Sequence, residues 1–206
     1  MPNSKGNGKH RSILESAIRV FARQGFFQST ISQIARDAGV ADGTIYLYFK
    51  NKEDILIQIF NFKTAQVFEK FQKEVDQAGS SLDKLKNLVR RHLEEFQRDR
   101  DMAVLYQVET RRQSRLFEPH IKKMSEMYMD IVSEIVEQGQ QEGVIRRDLY
   151  VSLVKRFILG GVDEVINTWL HSKKEYDLTS MADPLVELFI NGIGARTESG
   201  KTERPM

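Results

Sequence analysis

The segment from Ile13 to Leu56, ILESAIRVFARQGFFQSTISQIARDAGVADGTIYLYFKNKEDIL, decides the fold. Its first apolar residues, Leu14, Ala17, Ile18 and Phe21, recur at three- and four-residue steps, which places them on one face of a helix. Gly25 can take the left-handed conformation that ends this helix, read from about Lys9 to Gln24. Thr30 opens a second helix as N-cap, Gln33 three positions on completes a capping box, and Gly39 closes it after two turns. A third short helix is expected over Asp42 to Phe49. Asn51 then caps a long fourth helix from Lys52 to about Gln77, with Glu53 and Asp54 in the first turn, where the dipole favours carboxylates.

Two short helices across a glycine-containing turn, Ile31 to Ala38 and Asp42 to Phe49, have the dimensions of a helix-turn-helix. Ile34, Ala35 and Ala38 can meet Val40, Ile45 and Phe49, with Phe21 reaching in from the first helix. Gly43, Thr44, Tyr46, Leu47 and Tyr48 are left facing outward. Such residues suit a helix pushed end-first into a DNA major groove, because Gly and Thr allow close approach and tyrosine hydroxyls reach phosphates. Lys52 is expected to add a charged phosphate contact from the start of the fourth helix. Lys9 and Arg11 in the basic N-terminal stretch, and Ser29 and Thr30 ahead of the second helix, complete the expected DNA-binding set.

Charge divides in the same way. Residues 1–52 carry eight Lys or Arg against three acids, a net of +5, so the chain total of +2 leaves −3 for the remainder. That asymmetry fits a polyanion-binding segment joined to a body that is not. Of four prolines only Pro119 and Pro184 are interior, and the 206 residues show no sustained period-two alternation, so the reading is all-α with about nine helices. The remaining ones are expected near Leu82–Arg98 with Ser81 as cap, Met102–Gln113, Pro119–Gln141, Asp148–His171 and Thr179–Ile193, followed by a frayed polar tail. Zero cysteines remove thiol catalysis, thiolate metal sites and disulfides and fit a reducing cytoplasm. Met1–Lys9 has no apolar run behind it, and no stretch approaches a membrane span, so a cytoplasmic protein without membrane association is expected. His10, His92, His120 and His171 are scattered without H-x-x-x-H spacing, and no phosphate loop, dinucleotide turn or nucleophile elbow occurs. Neither a metal nor a cofactor nor an enzymatic activity is expected.

The run F-x-x-x-G, T-x-x-x-I-A, A-G-V, G-T-I-Y and Y-F-K-N-K-E within Ser12–Leu56 closely resembles the DNA-binding domain of the TetR family of bacterial transcriptional regulators. Ala41 departs from the family's usual Ser or Thr N-cap, which costs about 1 kcal/mol unless Asp42 substitutes. The resemblance implies a DNA-binding domain over residues 1–52, a ligand-binding and dimerisation domain over 53–196, and a disordered tail over 197–206. It further implies a homodimer on a palindromic double-stranded operator, paired through the last two long helices, Tyr150–His171 and Thr179–Ile193. Gly160 and Gly161 in mid-helix are explained either by close helix approach at such an interface or by a kink beside a pocket.

Within the family, the body is most similar to repressors of fatty-acid degradation genes in Gram-positive bacteria that respond to long-chain acyl-CoA. On that resemblance the effector is long-chain acyl-CoA or fatty acid. The expected lining is Phe62, Phe68, Leu88, Phe96, Leu105, Val108, Phe157, Ile166 and Trp169, with Arg111 and Arg112, from a cluster that includes Arg90, Arg91, Arg98, Arg100 and Arg115, meeting head-group phosphates. The same apolar stripes read equally as filled core. The arginines, interleaved with Glu94, Glu95, Asp99, Asp101 and Glu109, read equally as helix-surface ion pairs. Two other readings stay open: a family member answering a drug or signal molecule, and a helical adaptor that no longer binds DNA.

Overall fold

The computed structural model describes the backbone of residues 4–112 and 118–193 and the side chains of 8–110 and 118–193. The expected tail, Arg115 and the side chains of Arg111 and Arg112 lie outside the described residues. Nine α-helices occur among them: α1 (Ser4–Gln24), α2 (Ile31–Asp37), α3 (Asp42–Ile45), α4 (Lys52–Asp76), α5 (Ser81–Arg98), α6 (Arg100–Arg112), α7 (Glu118–Gln141), α8 (Val151–His171) and α9 (Ala182–Ile193). A 3₁₀ turn, Leu178–Met181, leads into α9, and no strand occurs among the described residues.

Local chemistry sets most helix ends. Gly25 lies at φ 82° and its N–H donates to the Phe21 carbonyl at 2.8 Å, closing α1. The Thr30 hydroxyl accepts from the Gln33 N–H at 3.2 Å while the Gln33 side chain accepts from the Thr30 N–H at 2.8 Å, so the capping box at α2 is complete. The Asn51 side chain accepts from the Asp54 N–H at 2.8 Å and opens α4.

Three expectations need correction. The third helix is only four residues long: after Ile45 the chain tightens into turns with three-residue bonds, Leu47 N–H to Thr44 C=O and Tyr48 N–H to Ile45 C=O, as an aromatic and β-branched run with poor helix propensity allows. Its N-cap, Ala41, has no side-chain bond, and Asp42 does not replace it, because the Asp42 carboxylate accepts from the Ser32 hydroxyl and ties α3 to α2. Ser80, not Ser81, caps α5; Ser81 is buried and donates through its N–H (3.1 Å) and hydroxyl (2.5 Å) to Glu142 at the end of α7. Similarly, α8 starts at Val151 because Asp148 pairs with Arg146, whose backbone N–H donates to the Ile193 carbonyl at 2.9 Å and holds this stretch across the end of α9.

Two buried clusters organise the chain. One joins α1, α2 and α3 to Ile55, Leu56, Ile59 and Phe60 of α4 and to Met102 and Leu105 of α6. The other gathers Phe68, Phe71 and Val75 of α4 with α5, α7, α8 and α9. Helix α4 therefore serves both, and its Lys52 end and its Phe71 end answer to different cores. The glycine pair in α8 divides as well: a Cβ on Gly161 would sit 2.9 Å from the Phe189 ring of α9, whereas one on Gly160 would meet nothing within 4 Å. Close approach at Gly161 is thus made within the chain. Gly161→Ala should cost about 1–3 kcal/mol through overpacking against the buried Phe189 ring, lowering the midpoint of thermal unfolding by about 2–12 °C. An unchanged midpoint would mean that the ring has room to retreat.

Candidate DNA-facing surface and effector cavity

On the outer side of the helix-turn-helix, Gly43 and Thr30 are exposed, as are Tyr46 at 59% and Leu47 at 80%. A leucine and a tyrosine this open, side by side on a segment pinned by the buried Ile45 and Phe49, form a surface that the fold does not use internally. Thr44 and Tyr48 are half-buried, and Tyr48 packs on the N-terminal core. Phe27, which the sequence did not single out, is 65% exposed in the α1–α2 turn.

Two residues expected to touch DNA have other work. Ser29 is buried, and its hydroxyl donates to the Gly25 carbonyl at 2.7 Å. The Lys52 ammonium donates to the carbonyls of Phe26 (2.9 Å), Ser29 (2.8 Å) and Phe27 (3.3 Å) and lies 4.6 Å from the centre of the Phe26 ring. Its three donors are thus spent on the α1–α2 turn, which it straps to the start of α4. Arg11 pairs with Glu15 at 2.8 Å, and Asp37 draws in Arg19 and Arg23 at the end of α2. Lys9, Arg36 and Lys50 have no ion-pair partner among the described residues and are exposed. His10 Nε2 donates to the Gln58 side-chain oxygen of α4 at 2.7 Å and the ring stacks on Phe49 at 4.9 Å, so α1, α4 and the segment after α3 share one corner.

The body holds a cavity of about 800 Å³ between α4, α5, α6, α7 and α8. Of the expected lining, Phe68 and Phe96 border it. The others do not: Leu88 and Ile166 are fully buried in the filled core, Phe62 and Leu105 pack on the N-terminal cluster, and Val108 is half-buried away from the space. Phe157 is half-exposed and stacks edge-on against Phe189 at 5.3 Å. Trp169 lies in the core with its indole N–H donating to the Tyr176 carbonyl at 3.1 Å and the Arg100 guanidinium 4.4 Å above its ring. A helical stripe reveals which face is inward but not whether the inward space is filled, which is why the residues read as lining and those that border this cavity differ.

The wall is instead made by Thr64, Val67 and Phe71 of α4, His92 of α5, Met102 and Tyr106 of α6, Met124, Ser125 and Tyr128 of α7, and Leu159 of α8. Cations rim it: Lys63 pairs with Asp99, Lys70 with Glu95 at 2.7 Å, and Arg98 is exposed beside them. Other arginines are committed elsewhere, Arg91 to Glu94 and Glu95 and Arg90 to Asp183. Aromatic rings line the interior, with Tyr128 5.0 Å from His92, His92 5.1 Å from Phe96 and Phe96 5.4 Å from Tyr106.

Burial dominates the ionisation of the polar members. It pushes the His92 imidazole down to about 3, so the ring is neutral throughout the physiological range. Burial, reinforced by Asp163, holds the Tyr106 and Tyr128 phenols above the ordinary tyrosine range. For His92 the unfolded chain takes up a proton below its ordinary 6.5 while the folded one resists until about 3. Stability is therefore complete above pH 6.5 and falls as pH drops from 6.5 towards 3, by at most about 1.4 kcal/mol per pH unit. His92→Leu should flatten this acid limb in denaturant titrations between pH 6 and 4; an equally steep limb would assign it to the carboxylates.

No group of three or more metal-binding side chains occurs among the described residues, and no helix there is long and apolar enough to cross a membrane. A helix-turn-helix on a helical body with a rimmed internal cavity is the build of a ligand-responsive DNA-binding regulator. The family model for bacterial regulatory proteins of the tetR family matches residues 13–59, that for the YsiA-like protein C-terminal region matches residues 60–192, and the chain belongs to the TetR family. It is 36% identical to the fatty acid metabolism regulator protein of Bacillus subtilis (strain 168) over 90% of this chain and 95% of that protein. The crystal structure of the transcriptional regulator FadR from Bacillus subtilis in complex with stearoyl-CoA superposes with a TM-score of 0.82 at 36% identity, covering 89% of this chain and 98% of that one. The fatty acid degradation regulator FadR from Bacillus halodurans gives a TM-score of 0.85 at 34% identity, covering 91% and 97%.

Proposed function

We propose that this protein is a homodimeric repressor of fatty-acid degradation genes that leaves its operator when long-chain acyl-CoA fills the cavity, and that it has no enzymatic activity of its own. The observation that carries the reading is the 800 Å³ cavity, apolar within and cation-rimmed, in a body related to a regulator crystallised with stearoyl-CoA. An alkyl chain suits the Phe, Met, Val and Leu wall, and Lys63, Lys70 and Arg98 suit an anionic head group left at the rim. The exposed Gly43, Tyr46 and Leu47, with Thr30, Thr44 and Tyr48, form the proposed DNA face. Leu153, Phe157 and Leu188, each more than half exposed on α8 and α9, support pairing of two copies through these helices.

A route between the sites exists in the packing. Met102, Tyr106 and Met124 line the cavity and also lie against the N-terminal core, while α4 contributes to both. A ligand that spreads α4 from α6 therefore shifts the support on which α1 and the helix-turn-helix rest. Moving the equilibrium from 1:99 to 99:1 takes a preference of about 5.5 kcal/mol between the two forms. About seven methylenes buried in only one form, at about 0.8 kcal/mol each, supply it.

Duplexes selected by the protein from a random pool should be palindromic, and stearoyl-CoA at low micromolar concentration should release them in a gel shift. Selected DNA that survives every acyl-CoA tested leaves the regulator standing and removes this effector. Failure to enrich any duplex would point to the helical adaptor.

A further inference from the structure

We propose that His92 and Tyr128 form a hydrogen-bonding subsite in the cavity wall that takes a neutral oxygen carried by the acyl part of the effector. The proposal rests on the acyl-CoA reading above and adds a polar determinant to what is otherwise an apolar tunnel.

Four observations converge. Both side chains border the cavity, and their rings are 5.0 Å apart across the α5–α7 contact. Both residues are more than nine-tenths buried, at 6% and 3% exposure. The His92 Nδ1 and the Tyr128 hydroxyl are buried without a hydrogen-bond partner in the protein. Finally, Phe71 packs against both rings, at 5.4 and 6.0 Å, and Phe96 against His92, so the two polar groups are held in an aromatic frame. Native proteins pair nearly all buried polar atoms, and two unpaired ones on the wall of one cavity mark where a guest completes the bonding.

The electrostatics select the class of guest. Tyr128 keeps its proton and so offers a donor; His92 is uncharged and offers a donor or an acceptor according to tautomer. Neither His92 nor Tyr128 carries a charge, so the pair offers no charge-assisted bond to a carboxylate or phosphate. A carbonyl or hydroxyl oxygen is accepted. On an acyl-CoA that oxygen is either the thioester carbonyl or a substituent along the chain.

The test compares ligands and protein together by isothermal titration of the purified full chain. The probes are stearoyl-CoA, the octadecyl-CoA thioether that lacks the carbonyl, and stearoyl-CoAs hydroxylated along the chain. The wild type should prefer an oxygen-bearing probe over the thioether by about tenfold, the worth of one good hydrogen bond, and Tyr128→Phe should reduce that preference to about twofold or less. Preference for stearoyl-CoA over the thioether assigns the oxygen to the thioester; equality of those two with tighter binding of a hydroxylated chain assigns it to the chain. Equal affinity of all probes for the wild type, or a preference that Tyr128→Phe leaves intact, overturns the proposal. So does a lower melting temperature in Tyr128→Phe, since it would mean that the hydroxyl is already bonded within the fold. Absence of binding by every probe instead sinks the acyl-CoA reading beneath it.

Discussion

Val67→Trp is expected to produce a repressor that holds DNA as the wild type does but fails to let go. Val67 lies on α4 at the cavity wall and is only half-buried, so a larger side chain can enter the open space without displacing the filled core below it. An indole there excludes about four methylenes of an alkyl guest, worth about 3 kcal/mol, which raises the acyl-CoA concentration needed for release by roughly 200-fold. The helix-turn-helix core, built from residues up to Phe60 with Met102 and Leu105, is not touched by the change. Measured by gel shift, DNA affinity should stay within about twofold while the release midpoint moves out of the micromolar range. Release at the wild-type concentration would show that the effector binds elsewhere.

The second large effect belongs to Lys52. Lys52→Met removes an ammonium that satisfies the carbonyls of Phe26, Phe27 and Ser29 and with it the hydrogen bonds that tie this turn to the start of α4. Hydrogen bonds to a charged group contribute about 1.5–3 kcal/mol, so a loss near 2–3 kcal/mol and a fall of about 4–12 °C in the melting midpoint are expected. A lysine that instead neutralised one phosphate would leave stability alone and reduce the salt dependence of DNA binding by about 0.9 in slope. The strap predicts the reverse pattern: an unchanged salt slope, a less stable N-terminal unit and weaker DNA binding through misplacement of α2 and α3. A retained melting midpoint with a shallower salt slope would restore the phosphate contact.

These two residues also mark how far the sequence could be read. Thr30 with Gln33, Gly25 and Asn51 act over three or four positions along one chain, so their roles follow from spacing alone, and the structure has them in those roles. Lys52 does not act locally. Its partners lie 23 to 26 positions earlier, and a lysine beside a DNA-facing motif reads as a phosphate contact until the turn is seen to fold back onto it. Ser29 carries the same lesson with the sign reversed, a polar residue in an exposed-looking loop that is buried because its hydroxyl accepts from the Gln24 side-chain amide and donates to the Gly25 carbonyl in the corner. Ser80 took the cap from Ser81 because Glu142, 61 residues away, claimed the latter.

The cavity was the least legible part. Leu88 and Phe96 stand two turns apart on α5 and are equally reasonable as lining, yet Leu88 is in solid core while Phe96 borders the open space. His92 between them gave no signal, since a single histidine on an apolar face carries no spacing pattern. Its meaning depends on Tyr128, Phe71 and Phe96 arriving from three helices.

By itself, then, the sequence determined an all-helical chain, a helix-turn-helix near its N-terminus and a family, because periodicity, capping and a contiguous motif are written in neighbouring residues. The tertiary structure alone decided which cations are free, which stripe is hollow and which buried polar groups lack partners. Those properties depend on distances between helices, and the space left between helices is a difference between packed surfaces that no one of them encodes.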